Sequence, residues 1–235
     1  MRSLGNQDEQ GLGGPLSVLT RQKRDHVQLG RLLAELADTV PAEQDPVLRR
    51  ICRLVFPHAF AEESVLWPVI RRVLPDGERL TLQIEREHQE VNELMTALEA
   101  LPRDAPGRAT TLVRLVEVLG ADVRDEEDEL LPRLQDAVGV RRLRGLGAAW
   151  ELVRRVAPTR PHPVVARRPP GNVLAALPLS LVDRVRDGVD VALQRGPDRW
   201  ASPLRSVSEI LTRLAHRIEH LPGLRRGEDP STHRP

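Results

Sequence analysis

Apolar residues recur along most of this chain at intervals of three and four, the spacing of one face of an α-helix. A first run, Leu19, Leu29, Leu33, Leu36 and Val40, follows Pro15 and stops at Pro41, with a gap where His26 stands. A second, Val47, Ile51, Leu54/Val55, Leu66, Val69 and Val73, begins behind Asp45 and Pro46, a capping residue and a first-turn proline. It ends at the turn signal Pro75-Asp76-Gly77. A third carries Leu80, Ile84, Val91, Met95 and Leu98, and breaks between Leu101-Pro102 and Pro106-Gly107. A fourth carries Leu112, Leu115/Val116, Leu119, Val123, Leu130 and Leu134. No segment sustains period-two alternation. The pattern predicts an all-α fold, an up-down-up-down four-helix bundle over residues 16–138.

The flanking segments read differently. Residues 1–15 are polar and Gly-rich, which predicts a disordered N-terminus. Residues 139–221 form a C-terminal extension: a fifth helix over 140–156, a Pro-rich connector over 157–172, and two short helices over 178–195 and 203–221. Residues 222–235, rich in Gly, Arg and Pro, predict a second disordered tail. Pro68 and Pro132 fall inside their helices, and each is expected to kink or loosen the helix at the preceding turn.

Polar residues interrupt the apolar faces at matched places. Residues 58–68 read HAFAEESVLWP and residues 122–132 read DVRDEEDELLP, so His58 aligns with Asp122, Glu62 with Glu126, Leu66 with Leu130 and Pro68 with Pro132. Each copy sets a ligand-type side chain one helical turn before a glutamate. His26 and His88 stand on the other two helices. Counted from the loops, His26, His58, Glu62, His88, Asp122 and Glu126 all lie roughly 20 Å from a helix end at 1.5 Å per residue, in one layer near mid-bundle. Taken singly, His26 reads as a hydrogen-bonded core histidine, His58–Glu62 as an exposed pair and Asp122–Glu126 as part of a solvated acidic run. Six such groups on inner faces at one depth need one another, water or a metal. Imidazole with carboxylate suits iron, manganese or zinc. Glu63, Glu127, Asp128 and Glu129 are expected at the surface, Glu85 and Glu87 in solvent beside His88, Trp67 in packing and Cys52 in the core.

Composition narrows the classes. Across 235 residues, 35 Lys+Arg face 34 Asp+Glu, which gives no electrostatic reason to expect nucleic acid or an anionic membrane as partner. A single cysteine excludes an internal disulfide and a multi-Cys metal site, and the absence of tyrosine excludes a tyrosyl radical. No apolar run suits a membrane span or a secretory signal, so a cytoplasmic protein is the expectation.

These residues resemble the hemerythrin-like, HHE cation-binding family over about residues 16–137. Its pattern is His on helix 1, His-x-x-x-Glu on helix 2, His on helix 3 and His-x-x-x-Glu on helix 4, which falls here on His26, His58–Glu62, His88 and Glu126. The resemblance implies a four-helix bundle with a non-haem di-iron centre, ahead of manganese or zinc. It departs at Asp122, where the family has His; an aspartate there implies a three-His, three-carboxylate set or a weaker second metal. The segment PTRPHPVVARRPPGN resembles a Pro-His-Pro-containing extension of hemerythrin-domain proteins in high-GC Gram-positive bacteria, with His162 outside the site. The function implied by the resemblance is that of a metal protein that binds or reacts with O2, NO or peroxide, catalase-like chemistry included. The competing classes are a metal- or gas-sensing interaction module and a metal-free helical scaffold.

Overall fold

The computed structural model describes residues 2–232. Helix α1 (Val18–Asp38) starts where the Ser17 hydroxyl accepts from the Leu19 N–H. Helix α2 (Gln44–Ala61) passes through a π-helical turn (Glu62–Leu66) into α3 (Trp67–Val73), so the three form one rod. Helix α4 (Gly77–Ala100) follows. A second composite rod runs from α5 (Arg108–Asp125) through a π-helical turn (Glu126–Leu130) into α6 (Leu131–Ala137). Helix α1, the two rods and α4 make the four-helix bundle; α1 packs on α2, α3 on α4, and α4 on α5. The short connections make neighbours antiparallel.

The two π turns are the loosening expected from Pro68 and Pro132. Proline has no N–H for the carbonyl four residues back, here Ser64 and Asp128. The backbone widens just upstream: the Trp67 N–H reaches the Glu62 carbonyl and the Leu131 N–H reaches the Glu126 carbonyl, five residues apart rather than four. The inward face then shifts by about one residue. Val69 and Val73, read as core, are half-buried, whereas Trp67 and Ile70 are fully buried.

The bundle interior holds two apolar clusters. One gathers Leu19, Leu66, Trp67, Ile84 and Leu130, the other Leu29, Val55, Val91, Met95 and Leu119. On every helix the six candidate ligands lie between residues of the first cluster and residues of the second. The polar layer therefore sits between two hydrophobic blocks, at the depth the loop count predicted.

Helix α7 (Val140–Val156), matching the expected fifth helix, lies across α1, α2 and the first π turn. It adds Leu143 and Trp150 to the first cluster. Gly147 makes that approach possible, because a Cβ on it would stand 2.1 Å from the Leu16 carbonyl oxygen. Gly147→Ala must push two backbones apart, and is expected to cost about 1–3 kcal/mol, read as a lower denaturant midpoint.

Both expected tails are packed where they are described. Leu4 and Leu12 are buried in the first cluster, and Lys23 Nζ donates to the Gly5 and Gln7 carbonyls at 2.9 and 2.6 Å. The Gly-rich composition hid two leucines that close one end of the bundle. At the other terminus, Leu224 is buried and its carbonyl accepts from the Ala166 N–H at 3.1 Å. Met1 and residues 233–235, part of the same expectation, lie outside the described residues.

The connector leads to α8 (Gly171–Arg195), which is longer than expected, and α9 (Ala201–Glu219); the two share a small core of Val165, Ala175, Leu179, Val182, Ala215 and Leu224. His162 is buried at the junction. Its ring lies 3.1 Å (Nε2) from Asp183 and 3.2 Å (Nδ1) from Glu219, and its backbone N–H donates to Asn92 Oδ1 at 2.9 Å. Burial disfavours its charged form, but Asp183 and Glu219 outweigh that and hold its pKa up at about 9. A folded value above the unfolded ~6.5 stabilises fully below pH ~6.5 and is lost as pH rises through about 9. The stability gap between the parent chain and His162→Gln is expected to be on the order of 3 kcal/mol at the acid side of that window and to shrink across it. Denaturant titrations of both chains from pH 6 to 10 measure it. Among the described residues no helix is long and apolar enough to cross a membrane.

Candidate metal centre

Each helix delivers its polar groups through a local cause. His26 faces in from α1, His58 from the last turn of α2, His88 from the middle of α4 and Asp122 from the last turn of α5. Glu62 and Glu126 each open a π turn, whose wider winding takes a smaller angular step between successive side chains. That brings the following residues, Glu63 and Glu127, towards the interior as well. Glu63 is only 1% exposed, so the expectation that it lies at the surface is corrected; Glu127 is partly buried, while Asp128 and Glu129 are exposed as expected.

The three imidazoles share one orientation. Each turns Nδ1 outward to a carboxylate: His26 to Glu127 at 2.8 Å, His58 to Asp25 at 3.1 Å, His88 to Glu63 at 2.9 Å. Each turns Nε2 inward. His58 Nε2 is 3.1 Å from Glu62 Oε1, and His26 Nε2 is 3.2 Å from Glu126 Oε2. His88 Nε2 is 3.6 Å from Glu62 Oε2, 3.5 Å from Asp122 Oδ1 and 3.9 Å from Glu126 Oε1. Both glutamates thus span two histidines, one oxygen to each. Both oxygens of Glu62, both of Glu126 and Oδ1 of Asp122 are buried without a hydrogen-bond partner.

Donor atoms of His26, His58 and Glu126 come within 4.8 Å of one another, as do those of Glu62, His88 and Glu126. Five of the six residues singled out in the sequence therefore converge. Asp122 stands at the edge, reached from His88 alone among the histidines.

Charge in the cluster is balanced by protons on imidazole. Burial disfavours the His26 imidazolium, but Glu126 and Glu127 hold its pKa up at about 9. For His88 burial is likewise outweighed, by Asp122, Glu63 and Glu62, and its pKa stands at about 10. His58 is held well above its ordinary value by Glu62 and Asp25. Burial pushes the Asp122 carboxyl well up, only partly relieved by His88, and pushes Glu62 up with help from the Glu126 charge. Glu126, although buried, is pulled below its ordinary value by His26, His58 and His88.

Two tryptophans wall the cluster. The Trp67 ring stacks on His88 with centroids 6.3 Å apart at 18°, and Trp150 of α7 sets its edge against His58 at 5.4 Å and 87°. On the side of the second apolar cluster, a cavity of about 20 Å³, lined by Asp25, His26, His58, His88, Asp122 and apolar side chains such as Leu29 and Leu119, has room for one water-sized molecule.

Three outer carboxylates, Asp25, Glu63 and Glu127, and Trp150 were missed from sequence. The doubled glutamate in both copies of the repeat, Glu62-Glu63 and Glu126-Glu127, was the available signal for two of them. Glu85 is buried rather than solvated, and binds Arg71 and Arg168 instead of a histidine. Glu87, also expected in solvent, is partly buried.

The chain is 24% identical over 131 residues to an uncharacterised hemerythrin-like protein of Schizosaccharomyces pombe. The alignment covers 55% of this chain and 64% of that relative, so the chain spans less than two thirds of its length. No solved structure matches the chain significantly. The model of the hemerythrin HHE cation-binding domain matches residues 15–134, about half of the sequence and the stretch that carries the polar layer, and the chain belongs to that family.

Proposed function

We propose that the chain holds a non-haem metal centre, a pair of irons, in the bundle core, and that this centre binds or reacts with O2, NO or peroxide. One observation carries the reading: five buried carboxylate oxygens without hydrogen bonds face three inward imidazole nitrogens. Imidazole protons offset part of the cost of burying these carboxylates, and a metal cation bound by the same oxygens and by the Nε2 lone pairs would take over that role. The donor set suits iron, with manganese and zinc behind it. His26 and His58 would serve one metal, His88 and Asp122 the other, and Glu62 and Glu126 would bridge. Bound iron would supply a redox-active Lewis acid with a position open to a small oxygen or nitrogen ligand.

The chain's own residues set the conditions. Asp25, Glu63 and Glu127 accept from Nδ1–H, which fixes the tautomer and leaves each Nε2 lone pair pointing inward. Trp67 and Trp150 exclude bulk water. The small cavity restricts the ligand to a diatomic or peroxide. Asp122 puts an anionic oxygen where the family pattern has imidazole, which favours the ferric state and works against reversible O2 binding. Such chemistry suits a cytoplasmic protein that meets oxidants, and the connector's likeness to the Pro-His-Pro-containing extension of high-GC Gram-positive members belongs to the same reading.

A sensing role without turnover has its own support. The connector reaches the site through Asn92, whose amide donates to the His88 carbonyl while its oxygen accepts from His162. Metal analysis, absorption spectroscopy and peroxide or NO kinetics on iron-loaded protein separate these readings. Two irons per chain, an oxo-to-iron band near the ultraviolet edge and consumption of peroxide or NO are expected. Iron without turnover would leave the sensor, and a chain that takes up no iron would end both.

A further inference from the structure

We propose a second metal site, facing solvent on α9 and built from His216, Glu219 and His220, for a transition-metal dication such as Zn2+ or Cu2+. The three residues sit at i, i+3 and i+4, one face of one turn. Their donor atoms lie within 4.8 Å of one another, and the two imidazole centroids are 4.2 Å apart. They take no part in the bundle cluster.

The site is built rather than merely crowded. Glu219 is 7% exposed and held from behind, because its Oε2 lies 3.2 Å from His162 Nδ1. That fixes Oε1 towards the two exposed rings, 3.0 Å from His216 Nδ1 and 3.9 Å from His220 Nδ1. His220 Nδ1 lies 2.7 Å from the His216 carbonyl oxygen. A carbonyl can only accept, so this nitrogen carries the hydrogen and Nε2 keeps its lone pair. Backbone fixation of one ring nitrogen is the usual way a histidine is prepared as a metal ligand. An ordinary His–Glu surface pair accounts for His216 with Glu219. It does not account for a second imidazole locked on the helix with its centroid 4.2 Å from the first. Two imidazoles and one carboxylate suit zinc, and the same donors hold Cu2+ more tightly. Three protein donors leave at least one position to water or an incoming ligand.

Calorimetric titration with Zn2+ of the full chain and of the double variant His216→Ala/His220→Ala tests the site. Both rings are exposed, so the variant keeps the fold, and thermal melting without added metal verifies that. Zinc entering the bundle is common to both proteins and cancels. The parent is expected to take up one equivalent more than the variant, or to hold that equivalent at least tenfold more tightly. Visible absorption with Co2+ as probe gives an independent reading, a d–d band in the parent that the variant lacks. Equal stoichiometry and affinity in the two chains, or identical Co2+ spectra, would overturn the site. Neither result bears on iron in the bundle.

Discussion

His88→Ala is expected to lose metal and stability together. The imidazole is 3% exposed and touches Glu62, Glu63, Asp122 and Glu126. No other side chain in the layer meets as many carboxylates. In the metal-free chain its proton, held with a pKa of about 10, is a large part of the positive charge these acids face. Alanine leaves them buried against His26 and His58 alone, while Asp122 keeps no imidazole partner at all. Breaking a buried charge cluster in this way costs on the order of 3–5 kcal/mol, or roughly 10 °C in Tm for a domain of this size. Metal analysis of the same preparation should show at least one iron missing. A variant that keeps both its melting temperature and its metal would remove His88 from the centre, and the proposed ligand set with it.

Trp150→Ala should show that the fifth helix belongs to the wall of the site. The indole is 1% exposed, lies in the first hydrophobic cluster and carries Arg154 over its ring at 5.3 Å. Emptying that space is expected to cost about 3–5 kcal/mol, seen as a lower denaturant midpoint at unchanged slope. The functional consequence is separate. With the ring gone from the face of His58, water reaches the layer from the α7 side, and iron should pass to an external chelator faster at unchanged stoichiometry. A loss under 1 kcal/mol with unaltered release would mean that α7 only lies on the bundle.

The four helices and the depth of the polar layer were legible in the sequence for one reason. Apolar periodicity and loop positions are both local, and a residue count converts directly into height along a helix. His26, His58, Glu62, His88 and Glu126 stood out because they replace apolar residues on faces that must be buried. The residues that stayed hidden depend on neighbours distant in the chain. Asp25 matters because His58 faces it across two helices, and Glu63 because a π turn winds it inward. Leu4 and Leu12 stand in a segment whose polar, Gly-rich composition reads as disordered, although both are buried in the first apolar cluster. Trp150 could be placed on a helix, but not against a histidine 92 residues earlier.

Each π turn is in effect a one-residue insertion tolerated inside a helix, so each rod has two reading frames that meet at a glutamate. A substitution leaves both frames in place; a deletion does not. Removing Ser64 would merge the two frames: the Trp67 N–H would meet the Glu62 carbonyl after four residues instead of five, with Trp67 and Ile70 still on the buried face. What would go is the smaller angular step that winds Glu63 towards His88. Loss of one residue from either π turn should therefore leave the packing of α3 and α6 in place and cost the inward aim of Glu63 or Glu127, the carboxylates that hold His88 and His26.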